Sequence, residues 1–250
     1  MKILPINFSR YIRFILRPFM SLIHRSADHY FTHVSKGEIT SISKHPNERI
    51  LEYSFVLKSI SRISPNSVLD VGPGLSSFPH LLMKCDLKVT AIDNFSNYWD
   101  KGVFNRHFQI IDSKIEEFKC NEVFDLVYCI STLEHIPNSD EAISAMFALI
   151  PPGGHLALTI PYSELTYDPN IYLHPNATFG SHVNYICQVF SREQIDVWLS
   201  QNNAEIIEQE YWKIYSGEMH TFGESIYPFE SSKKDELHQL TCILFKKKFD

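Results

Sequence analysis

The stretch Val68–Leu82, VLDVGPGLSSFPHLL, together with VTAIDNF at Val89–Phe95, decides the fold. An apolar run ending in Asp70 gives way to a turn through Gly72 and Gly74, then to a helical pattern, then to a second apolar run ending in Asp93. Strand, glycine turn, helix and strand make half of a mononucleotide-binding unit. Its turn lays bare backbone against a ligand, and the end of its second strand brings a carboxylate to a ribose. Glycine at 72 and 74 can take positive φ and leaves open the space that a Cβ would fill. The pattern predicts a site for an adenosine-containing small molecule.

Which molecule depends on the same turn. Dinucleotide folds use a third glycine and a phosphate cradle where this chain has Ser77. Asp70, two positions before the first glycine, suits instead a ligand that lacks a pyrophosphate and carries an ammonium group. Further along, FDLVYCISTLEHIPN at Phe124–Asn138 and LIPPGGHLALTIPY at Leu149–Tyr162 follow in order. With these three blocks in register, from about Asn47 to Leu199, the chain resembles the class I S-adenosylmethionine-dependent methyltransferases. Their first motif reads acid-x-Gly-x-Gly, and their second strand ends in an acid for the ribose hydroxyls. Pro73 and Leu75-Ser76-Ser77 depart from that pattern, in which small residues are common, and imply a tighter or water-mediated approach of the donor there.

Composition limits the alternatives. A chain of 250 residues with a hydrophobic fraction of 44% can bury a full core as one ordinary domain. A net charge of −6 argues against a partner held by phosphate neutralisation, so no nucleic acid is expected and a small-molecule acceptor is favoured. Cys85, Cys120, Cys129, Cys187 and Cys242 are odd in number and form no C-x-x-C pair, which reads as reduced thiols in a cytoplasmic compartment.

The first 27 residues differ from this average. Lys2, Arg10, Arg13, Arg17 and Arg25 precede the first acid, Asp28, apolar residues lie between them, and Arg10, Arg13, Arg17 and His24 fall roughly on one helical face. No run reaches the roughly 18 apolar residues of a spanning helix. Two readings remain: a helix packed over the active site with its arginines in solvent, which we prefer, and a basic amphipathic helix in peripheral contact with a membrane surface. A targeting peptide is a lesser third. Residues 1–46 are taken as an N-terminal helical extension and residues 47–250 as the methyltransferase domain.

Within that domain a helix is predicted from about Asn47 to Ile63, broken at Pro65. Apolar runs at 67–71, 87–92, 107–111, 124–130 and 154–160 then alternate with helical patterns, followed by Ala204–Tyr215 and Leu240–Lys246. The expected fold is α/β: a Rossmann-like, seven-stranded, mostly parallel sheet with helices on both faces. The resemblance implies that the last strand is antiparallel. Residues 161–189, rich in Tyr and His and without a clear period, are expected to form a lid over the acceptor. Ser191 and Gln194 have capping-box spacing, which starts a helix running to about Gln201.

Methyl transfer from an already activated donor requires mainly that donor and acceptor be held in line, and an oxygen acceptor also needs a base. Glu134-His135 falls just past the fourth strand, at the carboxyl edge where ligands of open α/β sheets bind. His135 is the candidate base, with Glu134 orienting it or binding the donor; the competing structural reading has both residues cap the next helix. In the resembling family this pair occurs with different acceptors, so it leaves the acceptor unnamed.

For the donor, the resemblance implies contacts from Asp70, Gly72, Gly74, Asp93, Asn94, Asp112 and Ser113. Phe95 would lie beside the adenine, and Cys129 and Ile130 would offer backbone groups. Asp112 could equally cap a helix beginning at Lys114, and Asp70 could bond its own turn. His174 and His182 have no metal-ligand spacing, so no metal is expected, and His182 is a candidate acceptor contact. The resulting expectation is a methyl transfer to a small or glycan-like acceptor at a hydroxyl oxygen. Methylation of a quinone or lipid ring at a membrane, a non-catalytic adenosylmethionine-binding module, and a nicotinamide oxidoreductase are the alternatives.

Overall fold

The computed structural model describes residues 47–95, 99, 104–180 and 183–249; the N-terminal extension, its arginines and His182 lie outside them. Glu48–Asp250 form one compact unit. Helix α1 (Arg49–Ile63) turns its stripe of Glu52, Phe55, Val56 and Ser59 inward and stops at Ser64. There the backbone becomes left-handed and the Ser64 N–H donates to the Ile60 carbonyl, with Pro65 beyond preventing continuation.

The core unit follows: β1 (Ser67–Val71), α2 (Phe78–Lys84), β2 (Lys88–Asp93), β3 (Ile111–Asp112), β4 (Leu126–Ile130), α3 (Ser139–Ala148) and β5 (His155–Pro161). Helix α4 (Arg192–Gln201), β6 (Ala204–Tyr215), β7 (Ser225–Ser232) and β8 (Leu240–Lys247) complete it. The start of α4 is held as its sequence predicts, with the Ser191 N–H and Oγ both donating to Gln194 Oε1 at 3.0 and 2.7 Å.

All strands join one sheet in the order β3-β2-β1-β4-β5-β8-β6-β7. The Rossmann-like parallel half and the antiparallel last strand match the sequence expectation, but the sheet has eight strands rather than seven. Its first four pairings are parallel and the remaining three antiparallel. The additional strand is β7, an edge strand. The third strand is shorter and later than 107–111, because the Asn105 side chain takes the N–H groups of His107 and Phe108, at 2.8 and 2.9 Å, before a ladder can.

The pleat divides the core between two faces, since successive side chains on a strand point oppositely. Leu126, Tyr128 and Ile130 of β4 pack with Phe55, Val56, Phe78 and Leu82 from α1 and α2. Val127 and Cys129 pack on the other face with Ile143, Met146, Ile195 and Trp198 from α3 and α4. A strand covered on both sides must be apolar throughout, and all five residues of β4 are buried. This layering points the carboxyl ends of β1 and β4 at the place where the strand order reverses, which is where a crevice opens in such sheets. Among the described residues, no helix is long and apolar enough to cross a membrane.

Candidate active site

The crevice is floored by the turn after β1. Gly72, at φ 77, donates its N–H to the Ile92 carbonyl at 2.9 Å and accepts from Thr132 Oγ1 at 2.9 Å. A Cβ on Gly72 would stand 2.1 Å from the Thr132 methyl, so the close approach of the β1 and β4 ends requires glycine. Gly74, at φ 55, donates to Asp93 Oδ2 at 2.8 Å. Asn105 then fixes the turn from outside: its amide donates to the carbonyls of Gly74 and Ser76 at 2.8 and 2.9 Å. Every donor and acceptor of that side chain is therefore used.

Asp93 also accepts from Trp99 Nε1 at 3.1 Å. A carboxylate offers about four lone-pair sites, and with the Asn94 N–H also donating, these bonds leave capacity for one more donor. Burial pushes its pKa up, against the pull of the Gly74 N–H, the Trp99 indole and the Asn94 N–H. Asp70 is buried far more completely, and desolvation raises its carboxyl well above the usual range with Asp93 adding to the rise and Tyr128 and Arg49 opposing it. Asn94 follows β2, and the Phe95 ring lies 5.6 Å from that of Trp99, nearly parallel. Asp112 pairs with Asp93 across β3 and β2, and the Ser113 N–H donates to the Asp93 carbonyl at 3.0 Å. Asp112 is exposed, and a turn rather than a helix follows it, which removes the helix-cap alternative. The Cys129 side chain is wholly buried in the core, so only its backbone is available to a ligand.

A short 3-10 turn, Leu133–His135, carries the Glu-His pair past β4. His135 Nδ1 lies 2.6 Å from the Ile186 carbonyl, which can only accept, so Nδ1 carries the hydrogen and Nε2 is the basic nitrogen. Burial lowers the imidazole pKa against this bond, holding the ring neutral near pH 7. Glu134 Oε1 is 3.8 Å from Nε2, beyond hydrogen-bond length, so Ile186 and not Glu134 orients the ring. Neither residue caps the next helix, which begins beyond Asn138. Glu134 is buried, and desolvation pushes its pKa up to about 8 against the pull of its backbone N–H and Arg49; its Oε2 has no hydrogen-bond partner among the described residues. At pH 7 this is a pair of neutral groups rather than an ion pair.

Sequence reasoning passed over what α1 adds. Glu52 sits in the buried stripe of that helix, where a carboxylate is anomalous, and that anomaly was readable from its spacing with Phe55, Val56 and Ser59. It pairs with Arg49 at 2.6 Å and accepts from Thr159 Oγ1 at 2.8 Å and from Ser131 Oγ. Arg49, Tyr53, Asp70, Gly72, Pro73, Ser76, Phe78 and Ile130 enclose a cavity of about 40 Å³ at the β1 end. Arg49 and Asp70 thus bring a guanidinium and a carboxyl to one small space.

Residues 161–189 are not structureless. A 3-10 turn, Ile171–Leu173, and bridges from Asp168 to Val189 and Ala177 to Phe222 organise them. Ile171, Tyr172, Cys187 and Val189 form a small core of their own with Val183, Met219 and Phe222. The segment delivers Ile186 to His135 and sets the Tyr185 ring edge-on to the imidazole at 4.8 Å. His174 instead accepts from the Asn176 N–H and lies against Phe222. Among the described residues, no three His, Cys, Asp or Glu side chains gather as a metal would require.

Residues 47–209 match the family described as a methyltransferase domain. Ubiquinone biosynthesis O-methyltransferases resemble the chain at 29% identity over 119 residues in Pseudomonas fluorescens, covering 44% of this chain and 49% of that protein. In Coxiella burnetii the figures are 33% over 96 residues, 36% of this chain and 41% of the relative. The chain thus spans about half the length, or less, of these curated relatives. Among solved structures, the fold is shared with Burkholderia thailandensis 1,6-didemethyltoxoflavin-N1-methyltransferase with bound S-adenosylhomocysteine. That match has a TM-score of 0.56 and 13% identity, covering all of this chain and 92% of the other. The N-methyltransferase NodS from Bradyrhizobium japonicum, in complex with S-adenosylhomocysteine, matches at TM-score 0.51 and 17% identity over 82% and 90% of the two chains.

Proposed function

The chain belongs to the methyltransferase-domain family, as an S-adenosylmethionine-dependent enzyme, and from that premise we propose that it methylates a small or glycan-like acceptor at a hydroxyl oxygen with His135 as base. The single observation that carries this reading is the His135 tautomer. The Ile186 carbonyl holds the hydrogen on Nδ1, so Nε2 is the nitrogen that can take a proton at the carboxyl edge of β4.

The residues present fit the donor. Asp93 keeps a lone pair for a ribose hydroxyl after accepting from Gly74, Trp99 and Asn94, and Asp112 and Ser113 extend the same edge toward the adenine beside Phe95. Gly72 and Gly74 present backbone where a Cβ could not be placed, with Asn94 and the Cys129 backbone completing the set. Asp70 and Arg49, a carboxyl and a guanidinium across their shared cavity, suit the ammonium and carboxylate of an amino acid end, and an ammonium beside Asp70 would favour its ionised form. When bound, the donor supplies a methyl group already activated on a sulfonium. The chain's own tasks are to hold the acceptor hydroxyl toward that methyl and to accept its proton at His135 Nε2. The lid that carries Ile186 also keeps water from the imidazole.

The test is calorimetry with adenosylmethionine and adenosylhomocysteine, followed by turnover with labelled donor across an acceptor library. Asp93→Ala should lose donor binding, whereas His135→Ala should keep it and lose turnover. Normal turnover in His135→Ala rules out the base assignment.

A second reading, a quinone or lipid ring acceptor at a membrane surface, is favoured by one observation. Leu165 and Leu173 on the lid are 91% and 81% exposed, apolar surface that a lipid-tailed acceptor or a bilayer could cover. Flotation with anionic liposomes, with and without residues 1–27, separates the readings: binding unchanged by the deletion removes the membrane role of the basic segment.

A further inference from the structure

The turn after β1 carries a side chain that the donor reading leaves unused. Ser76 stands in the Leu75-Ser76-Ser77 run, where the chain departs from the small residues of the resembling pattern. Its hydroxyl meets the Tyr53 hydroxyl of α1 at 2.8 Å and accepts from the Phe78 N–H at 3.0 Å. Tyr53 cannot swing away from this partner without losing its packing, because its ring lies flat on that of Phe78 with centroids 4.3 Å apart.

Two hydroxyls hold two hydrogens, and the bond between them uses one. The other has no acceptor among the described residues, whichever oxygen carries it. Both side chains line the cavity at the β1 end, beside Arg49 and Asp70, so the left-over hydrogen belongs to the wall of a space that a ligand can enter.

That space, about 40 Å³, has room for about three water-sized groups. An amino acid end offers three polar atoms, two carboxylate oxygens and an ammonium nitrogen, so the cavity matches that end and is too small for a nucleoside. Its lining divides in the same way. Asp70 is the carboxyl among the described lining residues and takes the ammonium, which leaves the carboxylate to hydrogen-bond donors. Arg49 is one of these: it lies one helical turn before Tyr53, on the same face of α1, and gives a single nitrogen of its fork to Glu52, at 2.6 Å.

We propose that Tyr53 and Ser76 together form a second anchor for the donor's carboxylate, sharing one hydroxyl hydrogen that adds to the Arg49 contact. The proposal rests on the reading of this cavity as the seat of the donor's amino acid end. It makes α1, and not the glycine turn alone, responsible for selecting donors in which that end is intact.

The experiment measures binding of adenosylhomocysteine and 5′-methylthioadenosine to the full chain by calorimetry; the second ligand keeps the nucleoside and its sulfur but lacks the amino acid end. The wild type should favour adenosylhomocysteine, and Arg49→Met should cut that preference. Tyr53→Phe and Ser76→Ala each leave one hydroxyl with its hydrogen, so each should lower adenosylhomocysteine affinity by less than about twofold. Combining Tyr53→Phe with Ser76→Ala leaves no such hydrogen and should lower it by about tenfold, the loss of one hydrogen bond to a charged group and more than the two single effects multiplied. Methylthioadenosine affinity should be unchanged in all of these variants, which shows that they fold and keep the nucleoside site. A parallel loss of methylthioadenosine in the combined variant makes the pair a prop for the turn and overturns the proposal. A wild type that binds both ligands equally sinks the reading of the cavity itself. A preference that Arg49→Met abolishes and the combined variant leaves intact sinks the second anchor alone.

Discussion

Two buried glutamates border the same crevice in opposite conditions. On the α1 side, Glu52 is bonded to Arg49, Thr159 and Ser131. On the turn after β4, Glu134 keeps an oxygen without a partner among the described residues and its pKa rises to about 8. Both carboxyls lie in low dielectric, so burial alone does not separate them; the supply of donors does. The α1 wall is finished by protein atoms, as a scaffold should be. The wall at Glu134 leaves an oxygen unbonded among the described residues, which the proposed function reads as room for a substrate group.

The largest test of that contrast is His135→Ala. Turnover should fall by about 10²–10⁴, the range of a general base, while adenosylhomocysteine affinity stays unchanged. An equal loss of both would make the wall at Glu134 as structural as its counterpart. Next is Glu52→Ala, which strips partners from Arg49, Ser131 and Thr159. Arg49 is partly exposed, so the cost should fall at the lower end for a broken buried pair, about 3 kcal/mol in a denaturant titration. A loss below about 1 kcal/mol would erase the difference between the two walls.

Glu134→Gln should act in the opposite direction. The folded carboxyl titrates at about 8 against an ordinary value of 4.5. Between those pH values the folded chain holds a proton that the unfolded chain has released, and stability falls as pH rises through the window. The glutamine variant lacks this slope, so its advantage should grow from pH 5 to pH 8, reaching about 2 kcal/mol after allowance for relaxation. Parallel stability curves for the two proteins would show that Glu134 is already satisfied. Turnover carries its own signature: the acidic limb of the wild type should lie below the ordinary histidine value of 6.5, because burial lowers the His135 pKa and the neutral ring is the active form. The smallest effect belongs to Tyr53→Phe, which removes the 2.8 Å bond to Ser76 at the glycine turn and should cost about 1 kcal/mol by thermal unfolding.

The parallel half of the fold was legible because its signals are local. Gly72, Gly74 and the acids at 70 and 93 sit at strand ends that the apolar runs themselves define. β7 was hidden for a physical reason: SIYPFESS carries Pro228 in its middle and exposes most of its side chains, so it reads as loop and is tolerated only at the sheet edge. Of the site, the Glu-His pair was visible, but its orienting partner was not, because a backbone carbonyl 51 positions away has no signature in sequence. Asn105 shares that condition, as its role arises from tertiary contacts. Glu52 is the exception: a lone acid on an apolar helical stripe could have been noticed.

The hydrogen bond from His135 to Ile186 ties two events into one. A displacement of the segment carrying Ile186 takes away the carbonyl that fixes the imidazole, and the ring is then free to rotate and to exchange its hydrogen between nitrogens. On the proposed reading of His135 as base, the packing of the segment around Ile186 and the basicity of Nε2 are therefore one property.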